Sequence, residues 1–337
     1  MRRRQTAMSL QNFWSLPPLT DEVFSSWLFR KTLNDRWMDS NAPLRKLFTV
    51  SEYGESYFDP DYGIGGADFI SCCQAIGDSP TKVAKLFEAP QGWVIPRTVR
   101  RSYCIECMKE SIRICGLPVY RWSWGLVMMP FCNQHGELLH QGSFNSENKM
   151  SLGLDLFKKH WDDRLHEIDS TLLNKTFPWL QLSRNIQATL STAPLIQSQL
   201  LQKILMQLFL SRHFSFTSYE AEQNLWRSTG GFFEPSKHSS RSSLHYDALM
   251  ACTIIRAKAL LYLGRVLNLI SDEEMAASLG DYYFMPKSLV EMIAHIGRAN
   301  KLSHPHITYR RLQCFVDDRT PKEIITFTEG LKHVLKA

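Results

Sequence analysis

Cys104-Ile105-Glu106-Cys107, then 24 residues, then Cys132-Asn133-Gln134-His135: the reading of the chain turns on this stretch. Two pairs of ligand-type side chains, each separated by two residues, suit a tetrahedral ion held by two tight turns. Three thiolates and one imidazole fill four positions and leave none for water or substrate. A closed shell argues for a structural zinc and against a catalytic one. The connecting residues Val119-Tyr120-Arg121-Trp122-Ser123-Trp124 read as a strand, and Gly125 as the start of its return. Residues 96–145 are therefore expected to form a small zinc ribbon with a β-hairpin and aromatic side chains beside the metal. Cys115 and His140 are worse placed for the two turns, and the sequence leaves open whether either joins the shell. Cys72-Cys73, Cys252 and Cys314 read as buried apolar residues. His304-Pro305-His306, an isolated pair of histidines, reads as a loop.

Outward from this stretch the chain reads as helical. The N-terminal helix is expected from Asp21, capped by Thr20, with Asp21 and Glu22 at the positive end of its dipole and Val23, Phe24, Trp27 and Leu28 on one stripe. Phe69 to Ile76 predicts a short helix ended by Gly77, and Ser79-Pro80 is a start signal for the next. Two short helices around Gly77-Asp78-Ser79 resemble a helix-turn-helix. Beyond the ribbon, helices are expected over residues 196–209, 244–269, 272–279 and 287–299. A last one follows a capping box at Thr320-Pro321-Lys322-Glu323. The expected fold class is mainly α. It comprises an N-terminal helix-turn-helix-like domain (1–95), the zinc ribbon (96–145) and a helical C-terminal domain (146–337) with an exposed Ser/Gly-rich loop near 228–243.

Composition bounds the functional classes. Of 337 residues, 44% are hydrophobic and 21% charged, which excludes a disordered or collagen-like chain and fits two to three globular domains. Eight cysteines are too few for a disulfide-stapled secreted scaffold. Met1-Arg2-Arg3-Arg4 is not followed by an apolar core, so no signal peptide is read. Asp247, Arg256, Lys258 and Arg265 break the longest apolar stretch, which reads as a buried helix and not a bilayer span. A cytoplasmic protein with reduced thiols is expected. No Walker motif is present, and no Ser/His/Asp or Cys/His arrangement stands out, so no enzyme is expected.

The formal net charge of +6 is spread unevenly. Glu52, Glu55, Asp59, Asp61, Asp68 and Asp78 fall between Leu47 and Thr81 without a Lys or Arg, a stretch that would repel phosphates and suit a protein partner. Gly63, Gly65 and Gly66 lack phosphate-loop spacing and read as a turn. Arg97, Arg100 and Arg101, with Arg113 and Arg121, form a basic cluster and candidate nucleic-acid contact, and Arg2, Arg3 and Arg4 a possible phosphate-binding arm. Two partner surfaces are expected.

Arg101-Ser102-Tyr103-Cys104-Ile105-Glu106-Cys107, then Tyr120-Arg121-Trp122-Ser123-Trp124, then Phe131-Cys132-Asn133-Gln134-His135-Gly136-Glu137-Leu138-Leu139, resembles the TniQ domain. Its members show Tyr-Cys-Pro-x-Cys, a Trp-rich strand and Cys-Pro-x-His-Gly followed by Leu-Leu. Pro18-Leu19-Thr20-Asp21-Glu22-Val23-Phe24 through Leu28 is similar to the family's opening helix. The resemblance spans about residues 16–140. It implies a non-catalytic target-selection protein of Tn7-like transposons. The TnsD branch reads a DNA attachment site. The branch carried with CRISPR systems dimerises, docks on the RNA-guided Cascade complex with its guide RNA and recruits the AAA+ regulator TnsC. Ile105 and Asn133 replace the usual prolines, and a second cysteine set found in many members is missing. The length, short for a TnsD, favours the RNA-guided branch. A homodimer is implied, with residues 244–269 and the N-terminal helix as candidate surfaces.

Overall fold

The computed structural model describes residues 17–33, 59–87, 92–142, 149–162, 177–192, 199–210, 248–249, 251–280, 285–298, 304–317 and 320–336. Arg2, Arg3, Arg4, Glu52, Glu55 and the loop expected near 228–243 lie outside them. The described residues are mainly helical, with twelve α-helices and one two-stranded sheet of Ser102–Tyr103 (β1) and His140–Gln141 (β2). The chain divides into two compact units, Met1–Leu126 with Gly142–His166 and Val127–Gln141 with Glu167–Ala337. This division does not follow the three segments expected with boundaries at 95 and 145.

In the first unit, α1 spans Phe24–Leu33 and begins three residues later than expected. Asp21 has a left-handed φ of 67° and stands in a turn, where its carboxylate accepts a 2.5 Å hydrogen bond from the Ser123 hydroxyl. Glu22 is buried and forms a bidentate pair with Arg30, at 2.6 and 3.0 Å. Both acidic residues thus serve tertiary contacts in place of the helix dipole. The backbone before α1 pairs with the Trp-rich segment, Val23 N–H donating to Tyr120 carbonyl and Trp122 N–H to Asp21 carbonyl.

Phe24, Trp27 and Leu28 recur at i, i+3 and i+4 and form one buried row. They meet Phe69, Cys72, Cys73, Ile76 and Val83 in the core of this unit. The partners come from α2 (Ala67–Ala75) and α3 (Pro80–Ala84), which pack on each other across the Gly77-Asp78-Ser79 turn. Burial pushes the Cys72 thiol up to about 12 and the Cys73 thiol to about 11, so both stay protonated and act as small apolar side chains.

The expected ribbon of strands is corrected in two places. Ile105–Cys115 is an eleven-residue helix, α4, that starts directly after Cys104 and ends at Gly116. Its buried row of Ile105, Met108, Ser111 and Cys115 has helical spacing. Trp122–Gly125 is a 3₁₀ turn and no strand. The close approach of Tyr62 explains the glycine, since a Cβ on Gly125 would lie 2.1 Å from the Tyr62 hydroxyl. That hydroxyl donates to the Trp122 carbonyl. The unit is completed by α5 (Leu152–Asp162), whose buried His160 Nδ1 lies 3.1 Å from the Tyr103 hydroxyl.

The second unit holds α6 (Trp179–Thr192), α7 (Gln199–Phe209), α8 (Thr253–Val266), α9 (Asp272–Leu279), α10 (Leu289–Arg298), α11 (His304–Gln313) and α12 (Lys322–Lys336). α8 packs against α6 and α7, and α12 against α10 and α11. Of the stretch 244–269, the continuous helix observed is α8. The capping box is found at Ser271 and Glu274 of α9, where side chain and backbone bond reciprocally. At Thr320 the hydroxyl instead turns back to donate to the Phe315 carbonyl, 3.0 Å away. His304-Pro305-His306 opens α11 and is no loop. Cys314, expected to be buried, is exposed. No described helix is long and apolar enough to cross a membrane.

Candidate metal centre

The Cys104 pair is positioned by a helix start. Cys104 is the N-cap residue of α4, with extended backbone, and its carbonyl accepts from Met108 N–H at 3.2 Å. Cys107 follows within the first helical turn and is fully buried.

The Cys132 pair is positioned by a tight turn. Cys132 N–H donates to Glu137 carbonyl at 2.8 Å, and Gly136 N–H returns to Cys132 carbonyl at 2.7 Å. Gly136 takes a left-handed φ of 68°, which an L side chain resists. His135 N–H points at the Cys132 sulfur from 3.5 Å, and His135 Nδ1 stands 3.7 Å from the same sulfur. Phe131 and Leu138 close the turn as an antiparallel bridge.

The turn is braced by α6. The buried Gln187 side chain accepts from Phe131 N–H at 3.0 Å and donates to Phe131 carbonyl at 2.9 Å. Its amide nitrogen also lies 3.1 Å from Asn133 Oδ1. Asn133 stands where the resemblance expects proline, so a side-chain bond holds what a fixed φ would otherwise hold. Nothing in the sequence marks Gln187, a lone polar residue on a helix 54 positions beyond Asn133.

One potential ligand atom from each of Cys104, Cys107, Cys132 and His135 lies within 4.8 Å of every other. The three cysteines are buried and the histidine is half-buried. A tetrahedral ion with bonds of about 2.3 Å to sulfur and about 2.0–2.1 Å to nitrogen separates those two ligands by about 3.6 Å. The observed 3.7 Å fits that spacing. These four residues can hold a metal ion, and they are the four expected. Cys115, left open as a ligand, directs its Sγ at the Ser111 carbonyl 3.1 Å away, and its thiol is pushed up by burial. Neither it nor His140 belongs to the cluster.

Arg97, Arg100 and Arg101 are placed differently from the expected nucleic-acid face. Arg97 and Arg100 are 6% and 3% exposed, and their guanidinium groups reach Asp61 at 3.3 and 3.4 Å. Arg100 also pairs with Asp59 and stacks 4.2 Å over the Tyr62 ring. Ser25 adds its N–H and hydroxyl to Asp61, at 2.7 and 3.0 Å. Burial pushes Arg97 down, while at Arg100 burial opposes the charge but Asp59, Tyr62 and Asp61 together outweigh it and the pKa is raised. Asp59 and Asp61 of the acidic stretch and Arg97 and Arg100 of the basic cluster thus neutralise one another in one network, and these four residues are not available to the two partner surfaces expected. Arg101 is half-buried, and Arg113 is exposed.

No family model, curated protein or solved structure matches the chain.

Proposed function

We propose that the chain is a target-selection adaptor of the TniQ kind, non-catalytic, with one structural zinc at Cys104, Cys107, Cys132 and His135. The observation that carries this reading is the convergence of Cys-x-x-Cys and Cys-x-x-His-Gly on one cluster, in the order and setting that resemble the TniQ domain. Three thiolates with one imidazole select a borderline-soft ion, and a closed shell assigns it to folding. In this reading the chain acts in the cytoplasm as a homodimer, docks on the Cascade complex with its guide RNA and recruits the AAA+ regulator TnsC. The alternative, a TnsD-type DNA reader working through Arg97, Arg100 and Arg101, is disfavoured because the guanidinium groups of Arg97 and Arg100 are buried against carboxylates.

Co-expression of the tagged chain with its neighbouring genes tests this. Co-purification of Cascade proteins, RNA and an AAA+ protein is the expected result. Recovery of the chain without them from cells producing all components removes the adaptor reading. A monomeric mass by light scattering at micromolar concentration removes the dimer.

A further inference from the structure

With Arg97 and Arg100 buried, cations available to an anionic partner must be sought elsewhere, and α11 supplies them. Its sequence, His304-Pro305-His306-Ile307-Thr308-Tyr309-Arg310-Arg311-Leu312-Gln313, carries no acidic residue. Thr308 and Leu312, one turn apart, are buried, and the helix packs on α7 and α12. His306, Arg310, Arg311 and Gln313 are exposed. Among the described residues neither arginine forms an ion pair; Arg311 makes one 3.4 Å contact to the neutral Gln207 amide. The nearest described acidic residue in sequence, Asp317, lies beyond the helix end, where its N–H donates to the Thr320 hydroxyl at 2.8 Å.

We infer that the exposed face of α11 is a contact surface for the phosphate backbone of double-stranded DNA, with Arg310 and Arg311 as its charge contacts and His306 and Gln313 as flanking donors. Charge complementarity commits the face to a polyanion: adjacent unpaired guanidinium groups on a rigid helix with no carboxylate among them. A duplex is favoured over a single strand because single-strand sites stack bases on exposed aromatic rings. Here Tyr309 is half-buried, with its hydroxyl accepting from Gln313 at 2.6 Å, and Phe315 is half-buried as well. A helix of ten residues spans about 15 Å and can lie against or in a major groove about 12 Å wide. This contact is additional to the adaptor reading and does not depend on it.

Fluorescence anisotropy of the zinc-loaded full chain with a labelled, mixed-sequence duplex of roughly three helical turns tests the proposal. Affinity is followed over a series of salt concentrations. Arg310→Glu with Arg311→Glu should weaken binding about tenfold or more at low salt. The slope of log affinity against log salt should fall by roughly 1.8, the value for two phosphate contacts. Lys82→Glu with Lys85→Glu, both exposed, on α3 and just after its end, makes the same change in net charge and should leave the slope unaltered. Unchanged metal content and circular dichroism establish that each variant is folded, and the milder pair Arg310→Ala with Arg311→Ala replaces the first if it is not. Four results overturn the proposal. The wild-type chain does not bind the duplex at low salt, the α11 variant keeps the wild-type slope, the α3 variant loses as much, or only single-stranded RNA responds to the α11 change.

Discussion

A carboxylate as buried as Asp61 persists because four donors reach it: the Ser25 N–H and hydroxyl and the guanidinium groups of Arg97 and Arg100. Removing it leaves two buried arginines without the carboxylate they share. Breaking a buried pair from one side costs about 3–5 kcal/mol, whereas an exposed pair is worth about 0–1. Asp61→Ala is therefore expected to lower unfolding free energy by about 3–5 kcal/mol in urea titration, and a loss under about 1 would contradict the network described. None of this was legible from residue types. The carboxylates of Asp59 and Asp61 and the guanidinium groups of Arg97 and Arg100 stand 36 to 41 positions apart, so their mutual neutralisation appears only when the chain folds. The candidate metal ligands were legible because each pair is local: two residues between ligand-type side chains bring them together, whether the chain there forms a tight turn, as at Cys132, or a helix start, as at Cys104.

At the scale of elements, legibility followed apolar periodicity and failed where a chemical motif overrode it. Phe24, Trp27 and Leu28, the helix over 272–279 and the Ser79-Pro80 start were read from spacing and capping. Reading Cys104–Cys107 as part of a strand-rich ribbon hid the row Ile105, Met108, Ser111, Cys115, although Gly116 marks its end. The bracing of the Cys132 turn by α6 makes a test at this scale. Gln187→Leu keeps volume but strips Phe131 of both backbone partners, each worth about 1–3 kcal/mol when buried and unmade. Reduced stability together with faster metal loss to a chelator is expected; an unchanged metal off-rate would leave Gln187 a packing residue only. A second element-scale test concerns Asp272 at the start of α9. Burial opposes its charge, but the Arg265 guanidinium at 2.5 Å and Leu289 N–H at 2.9 Å outweigh this and hold its carboxyl below the usual value. A depressed folded-state pKa stabilises above the unfolded value of about 3.9 and loses that contribution as pH falls through the folded one. The stability gap between wild type and Asp272→Asn should be full at neutral pH and shrink below about pH 4, and a gap independent of pH would refute the assignment.

For the whole molecule, the balance between metal and core decides what holds the fold. Domains are stable by roughly 5–15 kcal/mol, and binding of a structural zinc supplies on the order of 10 kcal/mol in finger peptides. Around the four candidate ligands the backbone is held by a helix start, one glycine turn and the Gln187 clamp, local devices that orient the side chains. Without an ion, three thiols and an imidazole crowded within 4.8 Å have little to keep them together, and their thiolate forms repel. The stability of this region should therefore be conditional on metal. Elemental analysis of purified chain is expected to give about one zinc per chain. Phenanthroline should lower the melting temperature and promote aggregation, and stoichiometric zinc added before aggregation should restore both. Cys104→Ala and His135→Ala should reproduce the chelated state and resist rescue by zinc, because each opens the tetrahedral shell. Melting insensitive to chelator would show that the ligands form a cluster that the fold neither fills nor needs.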